Sequence, residues 1–274
     1  MDSTSSGSAD GSVFDVARYE RLRNERGARL GHPLSARAVT GSTNDDALLA
    51  ARQGAAHGAL FIAERQKAGR GRRGRAWYAE PSASLLFSLV LREGFPLSAL
   101  GALPLASGLA VRAALARWLP QAESEGSILL KWPNDVWVRQ RKIAGVLAES
   151  QVQGTAPTCI VLGIGMNVSS RSFPSQLATS ATSVVREGGA ADREALLVDT
   201  LVELEAYLDL LLRAGVAALQ PELLAFDALR GRRVSVETTR GVGAGIDEQG
   251  RLLLRVSPSE LCAISSGSVD LTDA

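Results

Sequence analysis

Six basic residues crowd between Arg65 and Arg75, and the second half of that stretch, Gly69-Arg70-Gly71-Arg72-Arg73-Gly74-Arg75, alternates arginine with glycine. Glycine frees the backbone so that successive N–H groups can converge on an anion, and guanidinium forks add paired donors for phosphate or carboxylate. Like charges this close repel one another, so a turn of purely structural purpose does not account for them. The chemistry they suit is closure over a polyanion such as ATP. Two other readings of the same letters fall away on context. The stretch matches the G-x-G-x-x-G fingerprint of dinucleotide-binding folds, but that fingerprint opens a helix, and Trp77-Tyr78-Ala79-Glu80-Pro81 is no helix start. Arginine–glycine segments that bind RNA lie in long low-complexity tracts, whereas this one is wedged between apolar strands. No G-x-x-x-x-G-K-[ST] occurs in the chain.

Four further groups carry polar chemistry. Ser42-Thr43-Asn44 offers short hydroxyls and an amide, suited either to capping a helix or to holding a polar ring, and the two roles can coexist. Lys131 ends an apolar run just before Trp132-Pro133-Asn134-Asp135; it reads as a strand-end lysine reaching water or as a cation fixed beside a reacting anion. Gly163 and Gly165 break a buried strand that ends in Asn167, which marks a bulge or a close approach by a ligand. Trp77 follows the cationic loop and reads as core or as cover over a ligand. Two histidines, His32 and His57, and two distant cysteines in apolar surroundings, Cys159 and Cys262, supply no metal or triad spacing. Both cysteines read as buried free thiols.

These groups need elements to position them. Residues 14–30 read as a short helix, 35–39 as a strand, and 41–44 as a helix start with Asp45 and Asp46 favourably placed in the first turn. Residues 59–63, 85–91, 142–149 and 160–168 read as strands, and 128–138 as strand, tight turn, strand. Residues 97–119 and 191–213 read as helices, Pro104 lying in the first turns of the former or breaking it. Beyond Gly231 short strands at 234–237, 242–246, 251–256 and 261–264 alternate with turn signals, including Asp247-Glu248-Gln249-Gly250. The fold expected is α/β with a small β-barrel appended. Residues 1–13 hold almost nothing to bury and are expected to be a disordered tail.

Lys and Arg total 30 against 29 Asp and Glu, a formal charge of +1 that argues against a broadly basic nucleic-acid binder. The first residues lack a basic segment followed by an apolar one, and no apolar run reaches membrane-spanning length, so a cytoplasmic location is expected.

Taken in order, Ser42-Thr43-Asn44, Gln66 with the Gly69–Arg75 stretch, Lys131-Trp132-Pro133-Asn134-Asp135, Lys142-Ile143-Ala144-Gly145 and Gly163-Ile164-Gly165-Met166-Asn167 resemble the biotin protein ligases. The likeness runs from about residue 35 to the C-terminus. It implies a class II aminoacyl-tRNA synthetase/biotin synthetase-like catalytic domain over 14–227, with a mixed sheet flanked by helices, and an SH3-like barrel over 228–274. It implies biotin, ATP and Mg²⁺ as substrates and ion, biotinyl-5′-adenylate as intermediate, and a lysine of a biotin carboxyl carrier protein as acceptor. Family members place biotin at positions matching Ser42, Thr43, Asn44, Gln66, Arg70, Gly71, Arg72 and Lys131. The adenylate falls to Arg72, Arg75, Trp77, Lys131, Asn134 and Asn167, with Lys142, Gly145, Gly163 and Gly165 around the pocket; Lys131, Arg70 and Arg72 carry the chemistry. Metal ligands are unassigned. About 35 residues precede the catalytic segment, too few for the winged helix with which some members repress transcription, so no DNA binding is expected. No membrane association is expected either, and the oligomeric state expected is a monomer or weak homodimer. Lipoate and octanoyl transferases share the scaffold, but the paired arginine–glycine and Lys-Trp-Pro-Asn-Asp motifs are not expected of them.

Overall fold

A computed structural model of the chain describes residues 13–92, 100–153 and 156–272. The tail expected over 1–13 lies outside the described residues but for Val13. The order is α1 (Val16–Glu25), β1 (Leu34–Thr40), α2 (Thr43–Arg52), β2 (Leu60–Gln66), β3 (Ser84–Leu91), α3 (Leu103–Trp118), α4 (Pro120–Ser124), β4 (Ile128–Lys131), β5 (Asp135–Val138), β6 (Arg141–Gln153), β7 (Ala156–Asn167), α5 (Arg193–Ala214) and α6 (Gln220–Ala225). Five further strands follow: β8 (Arg233–Val236), β9 (Thr239–Ile246), β10 (Leu252–Ser257), β11 (Glu260–Ile264) and β12 (Val269–Leu271).

The first seven strands form one mixed sheet in the order β1-β2-β3-β7-β6-β5-β4, parallel only between β1 and β2. Strand period two sorts its side chains between two faces. Leu85, Phe87, Leu89 and Leu91 of β3, with Ile160, Leu162, Ile164 and Met166 of β7, join the large core beneath α3 and α5. Val90 and Val161 face the other way and pack with Ala47 and Ala51 of α2. Because helices cover both faces, β3 is buried at every position, and its sequence is a continuous apolar run interrupted only by Ser84 and Ser88. That second face, where β6 and β7 carry glycine, holds the pocket described below.

Helix α3 starts at Leu103 rather than 97. Pro104 occupies its first turn, where the missing N–H costs nothing, and residues 100–102 form a turn before it; 97–99 lie outside the described residues. Helix α2 starts where expected, with Asp45 and Asp46 in its first turn, but Ser42 at the N-cap makes no capping hydrogen bond. The Thr43 N–H is satisfied instead by Gln66 Oε1 from the end of β2, at 2.7 Å. Among the described residues no helix is long and apolar enough to cross a membrane.

The C-terminal strands form an antiparallel sheet in the order β11-β10-β9-β8-β12, where the small SH3-like barrel was expected. Its last strand, β12, is too short to announce itself in the sequence. Trp132, 1% exposed, donates its Nε1–H to Gly250 O at 2.9 Å, which ties the Lys-Trp-Pro-Asn-Asp turn to the β9–β10 hairpin. Asp247 builds that hairpin as expected, accepting from Gln249 N and Arg251 N. Of the two cysteines, Cys159 is buried and Cys262 half-buried, and both are free.

Candidate active site

The arginine–glycine stretch folds back on itself: Gly71 N donates to Arg75 O, Arg70 pairs with Ala76, and Trp77 N reaches Gly69 O. Arg72 to Gly74 make one 3₁₀ turn and an extended chain follows, so the helix that a dinucleotide fingerprint requires is absent here. The folded loop covers a cavity of about 210 Å³. Ser42, Thr43, Asn44 and Gln66 stand at one part of its wall, the loop at another, and Lys131 to Asp135 with Lys142 at a third; Gly145, Gly163 and Gly165 lie under it.

A hydrogen-bonded row orders the first group. Gln66 Oε1 accepts from Thr43 N and from Thr43 Oγ1 at 3.1 Å; Ser88 Oγ lies 2.8 Å from Thr43 Oγ1 and 2.6 Å from Asn44 Oδ1. Asn44 Nδ2 donates to Glu149 Oε2 at 2.5 Å. Thr43 and Asn44 are buried, so the row is rigid and little of it is shared with bulk water.

The glycines admit side chains. Neither Gly163 nor Gly165 is a bulge, since both keep regular pairing with β3 and β6. A Cβ at Gly163 would overlap Asn44 Oδ1, and one at Gly165 would lie 2.5 Å from Trp77 Cε2; Gly145 leaves room for Trp77 and Lys142 in the same way. Trp77 is therefore a wall of the pocket, with its Nε1 buried and unpartnered and Lys142 Nζ 5.1 Å from its ring centroid. Replacing Gly165 with valine should push Trp77 into the cavity, lowering affinity for both small substrates about tenfold at a stability cost of about 1–3 kcal/mol, the usual penalty of overpacking. Calorimetric titration and thermal melts check this; unchanged affinities would show that Trp77 does not shape the pocket.

The cations divide into two sets. Most are already paired. Arg70 makes a double hydrogen bond to Asp45 (2.6 and 2.8 Å), and this bond from the guanidinium holds the Asp45 carboxyl below the usual carboxylate range. Arg73 meets Glu237 at 2.7 Å and Lys142 Nζ lies 2.6 Å from Asp135 Oδ1, while Arg75, which is exposed, has only the neutral Ser268 Oγ at 2.9 Å. Lys131 and Arg72 are different. Both are half-buried, and no carboxylate lies within ion-pair distance of either among the described residues. Burial pulls each below its ordinary pKa, opposed in both by the more distant charge of Asp135. Two desolvated cations in one pocket, neither in ion-pair contact with a carboxylate among the described residues, form a site suited to an anion.

The backbone fixes Lys131 closely. Leu130 N donates to Phe226 O and Leu130 O accepts from Ala228 N, so the end of β4 is bracketed by the chain leaving α6. Asn134 is braced through Nδ2 to Val146 O at 2.7 Å. Asn167 is not on the pocket wall; it is 4% exposed and gives its Nδ2–H to Thr182 O.

Sequence reasoning missed three contributors: Ser88, Glu149, and the C-terminal segment Gly267 to Asp270 on the cavity rim. The first two did leave a signal, as polar residues on strands whose inward positions are otherwise apolar or glycine. The third left none, because it arrives from the other sheet.

The class follows from the fold and from the charge stored in the pocket: this is a mixed α/β domain whose pocket sets half-buried cations beside a row of amides and hydroxyls. Residues 37–167 match the model of the biotin/lipoate A/B protein ligase family. The chain is 40% identical over 240 residues to the biotin–[acetyl-CoA-carboxylase] ligase of Mycobacterium tuberculosis, covering 85% of this chain and 86% of that protein. It is 34% identical over 229 residues to the ligase of the same name from Paracoccus denitrificans, covering 80% and 92%. Among solved structures, biotin protein ligase from Aquifex aeolicus in complex with biotin and ATP superposes with a TM-score of 0.74 at 27% identity, over 89% of this chain and all of that one. The chain belongs to the biotin protein ligase family.

Proposed function

We propose that this pocket activates biotin with ATP and passes the biotinyl group to a lysine of a biotin carboxyl carrier protein. Residues 14–227 make up the catalytic unit, and the barrel of 228–274 closes its rim. The observation that carries the reading is the meeting of Lys131 and Arg72, both desolvated and without a carboxylate partner among the described residues, in a cavity that also holds a row of amides and hydroxyls.

The parts divide by chemistry. Ser42, Thr43, Asn44 and Gln66 suit the ureido ring, which needs hydrogen-bond partners and carries no charge. A biotin carboxylate oxygen attacks the α-phosphorus of ATP, a P–O bond forms, and pyrophosphate leaves with the electron pair of the broken bond. Two anions must approach one another in that step, and Lys131 with Arg72 offsets the charge that accumulates. Arg70 and Gly71 hold the loop closed beside the carboxylate, Trp77 lines the nucleotide's side, and Asn134, Lys142 and Arg75 border it. Asn167 acts from behind by bracing Thr182. Closure keeps water from the mixed anhydride. The acceptor amine then attacks the anhydride carbonyl, AMP leaves, and the amine proton passes to solvent or to AMP. Mg²⁺ arrives on the ATP phosphates, whose oxygens suit a hard cation; Asp135 already engages Lys142, so no protein ligand is assigned to it.

The test is incubation of the full chain with biotin, Mg-ATP and a biotin-carrier domain, read by intact mass. One biotinyl group should appear on one lysine, with pyrophosphate and AMP released. Transfer of lipoate and not of biotin under the same conditions would overturn the reading.

A further inference from the structure

Glu149 lies on β6, outside every motif that identified the pocket, yet its carboxylate ends the row of hydrogen bonds there. We infer that Glu149 is a positioning residue: it sets which way the Asn44 amide faces and, with Asp45, holds Arg70 at the mouth of the pocket. The inference rests on the biotin-binding reading given above.

The argument is one of donor count. An ionised carboxylate only accepts. Glu149 Oε2 takes an Asn44 Nδ2–H at 2.5 Å, which turns Asn44 Oδ1 towards Ser88 Oγ, 2.6 Å away. Ser88 Oγ stands within hydrogen-bond distance of both Asn44 Oδ1 and Thr43 Oγ1, so its one proton is shared between these two acceptors. That leaves the Thr43 hydroxyl to donate to Gln66 Oε1, which also takes the Thr43 N–H. With both carbonyl oxygens consumed, the row has amide N–H groups of Asn44 and Gln66 left to spend. A ureido carbonyl oxygen is a strong acceptor and fits donors, and a flipped Asn44 would meet it oxygen to oxygen. Gly163 makes the arrangement possible, since a Cβ there would overlap Asn44 Oδ1. The same carboxylate oxygen lies 3.8 Å from Arg70 Nη2, on which Asp45 also bears at 2.6 Å, so Arg70 sits between two acids.

The test compares Glu149→Ala, Glu149→Gln and Asn44→Ala in the full chain, measuring KM for biotin, KM for ATP, kcat and the thermal midpoint. Loss of one oriented hydrogen bond should raise the biotin KM of Glu149→Ala about tenfold, with kcat, ATP KM and midpoint near those of the parent. Glu149→Gln still accepts through Oε1 and should recover most of the loss. A normal biotin KM in Glu149→Ala, while Asn44→Ala raises it, would overturn this inference and leave the site reading standing. Normal values in both alanine variants would overturn the site reading itself. Equal loss in all constants with a lowered midpoint, unrescued by glutamine, would make Glu149 a structural residue only.

Discussion

Lys131→Ala should slow adenylate formation about 10²–10³-fold, the usual cost of removing one preorganised group aimed at developing charge. The expectation follows from what surrounds the ammonium. It is half-buried, it has no carboxylate partner among the described residues, and its Nζ lies over the Trp137 ring, 4.9 Å from the centroid. No carboxylate among the described residues pairs with it directly, and Asp135 and Asp270 act on it only from a distance, so its charge is available to the reacting phosphate. For the same reason folding should not suffer: truncation removes a desolvated cation without orphaning an anion. Lys131→Arg should rescue poorly, since a planar fork does not replace a point charge. Burial also predicts a pH signature. A lysine held below its ordinary pKa loses its proton at lower pH than a free one, so kcat/KM, which reports the free enzyme, should fall on the alkaline side earlier than an unperturbed lysine allows. Bound ATP pulls the other way, and the limb in kcat should lie higher. Single-turnover release of pyrophosphate across pH checks both points. A parental rate in the alanine variant would remove Lys131 from the chemistry.

The sequence made the pocket legible because its parts break local rules. Arginines crowded among glycines, a lysine at the end of an apolar strand, and glycines inside a buried one are each a cost that folding alone does not explain. Strand period was equally plain, and β1, β2, β3 and β7 stand where apolar runs placed them. What the letters do not state is who pairs with whom. Ser42 carries a good cap signature, yet Gln66 satisfies the Thr43 N–H from the end of β2. The glycines at 163 and 165 announced close approach without naming the visitor, and the visitors are Asn44 and Trp77 from this same chain. Asn167 lies on the same face of β7 as those glycines, but it ends the strand and its amide is spent on Thr182 O. The division of the cations into spent and unspent depends on Asp45, Asp135 and Glu237, which are ordinary surface acids until the fold brings them close. The start of α3 was misplaced because residues 97–102 have helix-forming composition, and only the proline at 104 marked where a first turn could begin.

Glu187→Ala should lower the thermal midpoint by roughly 6–12 °C, more than any other single truncation proposed here, and should weaken nucleotide use as a consequence. The Glu187 side chain has no exposed surface, and its two oxygens accept from Arg139 at 2.6 Å, Arg141 at 2.7 Å and the Thr182 hydroxyl at 2.5 Å. Removing one partner of a buried pair costs about 3–5 kcal/mol because the other charge is left desolvated. Here the arginines stay about a third exposed and Arg139 keeps Glu125, so the low end, about 3 kcal/mol, is expected. At about 2–4 °C per kcal/mol for a chain of this size, that gives the stated shift. The arginines sit at the turn between β5 and β6, where Arg139 and Gln140 both hold positive φ (48° and 64°), a conformation that needs outside support in residues other than glycine. Function follows through Thr182. Its N–H donates to Lys142 O while Ser180 O accepts from Lys142 N, so the segment that Glu187 anchors is the one that brackets Lys142 at the pocket edge. Loosening that bracket should raise the KM for ATP several-fold at temperatures where the variant is still folded, with biotin affinity less affected because Thr43, Asn44, Gln66 and Ser88 lie on α2, β2 and β3, and only Glu149 of the row shares β6 with Lys142. Glu187→Gln keeps the acceptor towards Thr182 while losing the charge, so it should fall between the two in midpoint and stay closer to the parent in KM. A midpoint within about 2 °C of the parent for the alanine variant would mean that the two arginines find water as readily as they find Glu187, and the anchor would then have to be sought in the backbone pairing of Lys142 with residues 180–182 alone.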